Sequence, residues 1–271
     1  MITSTANKTV KQIVQWQEKA RERKKEGIFL AEGRKMFEEA PKHWIREVYV
    51  SCGALEKIKE KQDLSNASVL EKLQRVGYEI VTDEVFAKMS DTRSPQGILT
   101  VLKRPQYKPE DLFEEKAGLY IVLEHLQDPG NLGTILRTAE GAGVTGVIMT
   151  TQTVDLFNPK TIRSTMGSIY RVPFVYTDDL PGLIGQMREK GIRTYAAHLA
   201  GTTYYDSVSF CDPTAFLIGN EGNGLTQETA ALADAYIKIP MEGSVESLNA
   251  AVATALLVYE AHRQRNCSKT E

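Results

Sequence analysis

Hydrophobic and polar positions alternate along this chain in two rhythms. Short runs of Val, Ile, Leu and aromatic residues predict strands, and stretches with apolar residues every three or four positions predict helices. In the first hundred residues the pattern predicts helices near 8–25, 33–40, 66–76 and 83–89, with strands at 46–51, 78–81 and 97–102. Beyond residue 118 the alternation is more regular. Strands are expected at 119–124, 146–150, 172–176, 193–198, 214–219 and 235–240, and helices at 131–142, 160–167, 179–190, 226–233 and 247–264. Continuous apolar strands between helices predict an α/β fold. Its C-terminal part is a mostly parallel sheet with helices on both faces, preceded by a smaller α/β domain. The segment 103–116 has two prolines and eight charged residues, which predicts a linker at 105–117 between domains at 1–104 and 118–271.

Composition narrows the class. A chain of 271 residues with 42% apolar and 25% charged residues is an ordinary globular protein of one or two domains. The formal net charge of −2 excludes a strongly basic, histone-like binder. It hides an asymmetry, because residues 1–117 hold 22 Lys+Arg against 19 Asp+Glu, whereas residues 118–271 hold 11 against 16. The basic cluster Arg21, Arg23, Lys24 and Lys25 closes the first predicted helix. Such residues favour helix C-termini, and they also suit a phosphate-contacting patch; both readings stand. Arg93, in the polar loop 91–97, is either a ligand contact or a solvated loop residue. Three dispersed cysteines and four histidines without metal-ligand spacing predict a reducing, cytoplasmic setting and no metal site. No apolar run is long enough to span a membrane.

Three loops begin where predicted parallel strands end, the place where open α/β sheets bind ligands. The first, LEHLQDPGNLGTILRTAEGAG (123–143), offers Asn131 as a helix cap and puts Gly133, Arg137 and Gly141 on one helix face. It reads equally as a capped helix with an exposed arginine. The second, AFLIGNEGNGL (215–225), packs Gly219, Gly222 and Gly224 around Glu221. Its GxxGxG order is neither the dinucleotide GxGxxG nor a phosphate-binding loop, and its acid suits a cationic or ribose-bearing ligand. The third, IKIPMEGSVESLNAAVATALLVYE (237–260), places Ser247 as the expected cap of the last helix and Asn249 in its first turn. Capping alone would also account for both residues.

Together, in this order, the loops resemble the three motifs of the SpoU (TrmH) branch of the SPOUT RNA methyltransferases. The matching residues are Asn131, Gly133, Arg137, Thr138 and Ala139; then Gly219, Glu221, Gly222 and Gly224; then Ile239, Pro240, Met241, Gly243, Ser247, Leu248 and Asn249. Ala250-Ala251 departs from the Val-Ser of many relatives. The resemblance implies a deep trefoil knot, a homodimer through the C-terminal domain, and transfer of a methyl group from S-adenosylmethionine to a ribose 2′-hydroxyl of structured RNA. It implies Gly219, Ile239, Met241, Leu248 and Leu199 as cofactor contacts. It implies Arg137 as the residue activating the hydroxyl, with Asn131, Glu221, Ser247 and Asn249 positioning the reactants. The segments 29–40 and 94–102 are similar to the substrate-binding domain attached to many SpoU proteins, which makes the N-terminal domain the expected RNA-binding half. Ribosomal RNA is the expected substrate. A transfer-RNA enzyme, a non-catalytic RNA-binding or ribosome-assembly protein and a nucleotide-binding oxidoreductase are the competing readings.

Overall fold

The computed structural model describes residues 1–60, 63–245 and 247–267. The chain runs through α1 (Lys8–Glu18), α2 (Ala20–Glu26), β1 (Ile28–Glu32), α3 (Arg34–Glu39), β2 (Ile45–Ser51), α4 (Cys52–Glu60), α5 (Leu64–Val76), β3 (Glu79–Val81), α6 (Asp83–Met89) and β4 (Ile98–Lys103). It continues through α7 (Pro109–Leu112), β5 (Leu119–Leu123), α8 (Pro129–Ala142), β6 (Gly146–Thr150), α9 (Pro159–Thr165), β7 (Phe174–Thr177), α10 (Leu180–Glu189) and β8 (Arg193–Ala197). Last come β9 (Thr203–Tyr204), β10 (Thr214–Ile218), α11 (Gln227–Ala231), β11 (Ala235–Lys238) and α12 (Ala250–Cys267). These elements form two compact units. One comprises Met1–Pro105 with Asp155–Tyr170, the other Gln106–Val154 with Arg171–Glu271.

The first unit is built on a four-stranded sheet in the order β1-β4-β2-β3, with β4 antiparallel to both neighbours and β2 parallel to β3. One helical layer buries Val10, Ile13, Trp16, Val85, Phe86 and Met89 against it, and the other buries Phe37, Leu55, Val69 and Leu73. The expected helix 8–25 is broken at Lys19, whose backbone is extended. The cause is Arg23. Its guanidinium donates to the Trp16 and Gln17 carbonyls at 2.7 and 3.0 Å and to the Asp155 carboxylate at 2.8 Å. Arg23 is 2% exposed, so it is not a surface phosphate contact. Strand β1 was not expected, because its residues are buried throughout and show no alternation.

The second unit is a seven-stranded, wholly parallel sheet in the order β7-β6-β5-β10-β8-β11-β9. Strand residues alternate between its faces. Tyr120, Val122, Ile148, Val175 and Leu217 join Leu183, Ile184 and Met187 of α10 on one side. Helices α8 and α12 pack together, and α12 lies against β10. Arg265 anchors the end of α12 by donating to the carbonyls of Phe210, Ala117, Gly118 and Asp212. The expected linker is not a free tether beyond Pro105. Leu112 and Phe113 are buried, and the Tyr120 hydroxyl donates to the Leu112 carbonyl at 2.8 Å.

Candidate active site at the carboxyl ends of the parallel strands

Strand β5 delivers the chain into a tightly specified turn. Glu124, 4% exposed, accepts hydrogen bonds from the Thr226 N–H and hydroxyl, both at 2.8 Å, and from the Thr229 hydroxyl. A buried carboxylate is tolerated when its oxygens are satisfied in this way. His125 then adopts a left-handed conformation, φ 54°, which turns its carbonyl toward Asn220 Nδ2 at 2.9 Å. Helix α8 begins at Pro129, and its cap is Asp128, whose carboxylate accepts from the Asn131 N–H at 2.8 Å. Asn131 is therefore not the cap expected of it. Proline at the first helical position sets the start two residues earlier and frees the Asn131 amide for other partners.

The glycine loop after β10 closes on itself. The Asn220 and Gly224 backbones exchange two hydrogen bonds of 2.9 Å. A Cβ on Gly219 would fall inside the backbone of Gly224 and Leu225, so no side chain fits there. Asn220 Oδ1 receives the Gly222 and Asn223 N–H groups, which shapes the tip. This fold presents Glu221 to the β5 turn. Its carboxylate accepts from the Gln127 N–H at 3.0 Å, the Asp128 N–H at 2.9 Å and Asn131 Nδ2 at 3.1 Å. Desolvation pushes the Glu221 pKa up, but these donors together outweigh it and hold the carboxyl below its ordinary value.

The third loop supplies Asn249. Helix α12 starts at Ala250, and Asn249 Oδ1 caps it by accepting from the Ala251 and Val252 N–H groups. Asn249 is thus the cap, rather than a first-turn residue. Ser247, expected to cap, is exposed and makes no hydrogen bond to a described residue. Asn249 Nδ2 donates to Asn131 Oδ1 at 3.0 Å. A hydrogen-bonded line, Glu221–Asn131–Asn249, therefore joins all three loops.

Beside this line opens a cavity of about 300 Å³. Leu199, Gly219, Ile239, Met241 and Leu248, the expected cofactor contacts, all line it, as do Glu221 and Ser247. The sequence reading missed His198, Asn220, Lys238, Ala250 and Ala253, which also line it. Asn220 was legible as the residue between two glycines; His198 carried no signal beyond its place after a strand. Arg137 does not line the cavity. It sits six residues past Asn131, about 9 Å along α8, exposed and without a side-chain partner among the described residues. Arg21, Lys24, Lys25 and Arg93 are exposed on the first unit. Among the described residues no cluster of three His, Cys, Asp or Glu side chains could hold a metal ion. No helix among them is long and apolar enough to cross a membrane.

A parallel sheet whose carboxyl-end loops enclose an apolar, glycine-floored cavity beside a polar line defines a nucleoside-cofactor enzyme of the α/β class. The comparisons name the family. Residues 118–259 match the SpoU rRNA methylase family, and residues 7–100 match the MRM3-like substrate binding domain. The chain belongs to the SpoU family. It is 35% identical to an uncharacterized tRNA/rRNA methyltransferase of Synechocystis, over 99% of this chain and 96% of that one. It is 33% identical to the 23S rRNA (guanosine(2553)-2′-O)-methyltransferase RlmP of Bacillus subtilis, over 88% and 90% of the two chains. The crystal structure of an AdoMet-bound rRNA methyltransferase from Sinorhizobium meliloti superposes with a TM-score of 0.83 at 30% identity, covering 97% of each chain.

Proposed function

We propose that this protein transfers a methyl group from S-adenosylmethionine to a ribose 2′-hydroxyl of ribosomal RNA. The observation that carries the reading is the Glu221–Asn131–Asn249 line beside the cavity, because it brings polar side chains from three separate loops to one edge of that cavity. The residues present fit the cofactor. Gly219 lets the loop close tightly on itself at the cavity wall, Leu199, Ile239, Met241 and Leu248 offer apolar surface to an adenosine, and the acid loop favours a cation. When bound, S-adenosylmethionine supplies a methyl group already activated on a sulfonium centre.

The protein must then deal with a weak nucleophile. A ribose hydroxyl has to be held in line and its developing negative charge stabilised. Arg137 is available for this, since among the described residues no side chain pairs with its guanidinium. An arginine stays protonated, so its part is to donate hydrogen bonds and stabilise charge rather than to remove the proton outright. Asn131 and Asn249 are fixed by their mutual bond and orient the ribose. Ser247, unengaged at the cavity wall, is available to the RNA backbone. The reading carries the family's trefoil knot, a homodimer through the second unit and a cytoplasmic location with it.

The test is methyl transfer from labelled S-adenosylmethionine to deproteinised rRNA and, separately, to tRNA, followed by mapping of alkali-resistant linkages. We expect label at a ribose in rRNA. Label confined to tRNA would overturn the substrate, and label in neither would overturn the activity. Arg137→Ala is expected to lose at least ~100-fold in rate while still binding S-adenosylhomocysteine by calorimetry; a wild-type rate would remove Arg137 from the mechanism.

A further inference from the structure

Glu32 ends β1 in the first unit, 7% exposed, and pairs with Leu99 of β4 through its position in the ladder, while its side chain leaves the sheet. Its carboxylate reaches instead into the loop between α6 and β4. It accepts from the Ser90 hydroxyl at 2.7 Å, the Thr92 hydroxyl at 3.2 Å and the Gln96 N–H at 2.9 Å. The Thr92 N–H donates to Ser90 Oγ at 3.0 Å. Neighbouring Gly33 holds φ 114°, a conformation that side chains rarely adopt, and the Gln96 side chain packs over it. Both ends of the loop are thereby held from one point in the interior. Burying a carboxylate to hold a surface loop is costly, so a loop anchored this way has a conformation that matters.

The tip of that loop, Arg93-Ser94-Pro95, is exposed. Its charge is not balanced locally. The loop's acid, Asp91, is taken up by Arg163 at 2.7 Å, while Arg93 has no partner among the described residues. The loop therefore offers an uncompensated guanidinium to solvent from a backbone that is anchored at both ends. A phosphate bound there orders the Arg93 side chain but not the loop, which lowers the ordering cost.

We propose that the loop 90–97 is a preorganised contact for the RNA sugar-phosphate backbone, with Arg93 as the phosphate ligand and Glu32 as its positioning residue. The proposal rests on the RNA-substrate reading above and names the surface that grips the substrate. Glu32 touches no RNA; it acts through the loop.

The experiment is a titration of the full-length protein with deproteinised large-subunit rRNA between 50 and 200 mM salt, a range set by where phosphate contacts are read. Arg93→Ala should weaken binding about 5- to 20-fold at the low-salt end and reduce the slope of log Kd against log salt by about 1. Glu32→Ala should weaken binding in the same direction, and Glu32→Gln, which keeps one acceptor, by less. In the Arg93→Ala background Glu32→Ala should add nothing, which a purely stabilising role would not produce. Circular dichroism and urea unfolding report folding in every variant, and affinity for S-adenosylhomocysteine reports the second unit. An unaltered salt slope in Arg93→Ala overturns the proposal, as do additive losses in the double variant. So does RNA-independent capture of an acidic protein region that depends on Arg93. Loop-dependent binding of RNA that is never methylated would sink the methyl-transfer reading alone. Loop-independent binding by an active enzyme would sink this one alone.

Discussion

Glu221 sits largely in solvent, yet three N–H donors from another loop converge on its carboxylate. That balance gives its charge a measurable consequence. A carboxyl held below its ordinary value of 4.5 contributes stability that is fully present above that pH and is lost as pH falls through the depressed value. The difference in melting temperature between wild type and Glu221→Gln should therefore be constant from neutral pH down to about 5 and shrink below it. A difference that grows on acidification would contradict the network. At this scale the sequence singled out Glu221, Asn131 and Asn249, which meet, together with Ser247 and Arg137, which do not join them, and it did not tell which job each has. Asn131, Ser247 and Asn249 were all legible as polar residues near helix starts. Cap assignment depends on where the first turn begins, and Pro129 and Ala250 move those starts by one to three residues. Such shifts lie below what periodicity resolves.

Among the elements, the break between α1 and α2 shows why a run of basic residues is a poor guide to a binding surface. Four cations in five positions look alike in sequence, and burial separates them. Arg23 turns inward to satisfy carbonyls at the end of α1, while Arg21, Lys24 and Lys25 stay exposed. Arg23→Met should cost about 2–4 kcal/mol in urea unfolding, because it strands two carbonyls and the Asp155 carboxylate. It should leave the salt slope of RNA binding unaltered. Lys24→Ala should do the reverse. If Arg23→Met lowers the slope and spares stability, the buried assignment fails. Six strands of the parallel sheet were legible, since uninterrupted Val/Ile/Leu runs mark strands covered on both faces, whereas the two-residue edge strand β9 was not. Strand β1 and helix α4 were not: IFLAE has no alternation, and CGALEKIKE begins directly where a strand ends, without a capping signal.

For the molecule as a whole, the unit boundaries sharpen the charge division. Counted over the units as folded, the first carries 22 Lys+Arg against 16 Asp+Glu and the second 11 against 19. The basic unit matches a substrate binding domain, and the acidic unit holds the cavity. The second unit also leaves an apolar stripe uncovered, with Val252 48%, Leu256 37% and Tyr259 48% exposed along one side of α12. Such a stripe suits the homodimer proposed above. Sedimentation should give twice the 30.2 kDa chain mass, and Val252→Asp with Leu256→Asp should return a single chain. A wild-type monomer at micromolar concentration would refute the dimer.

Residues Asp155–Tyr170 belong to the first unit although the chain on either side of them, through β6 and β7, belongs to the second. Leu156, Ile162 and Ile169 are buried there, and Phe157 packs on Phe29. The first unit is consequently not a cassette. A genetic exchange that swaps everything before residue 105 would leave a foreign core with sixteen residues of the old one. An exchange that keeps this core whole replaces both stretches, residues 1–105 and 155–170, at once.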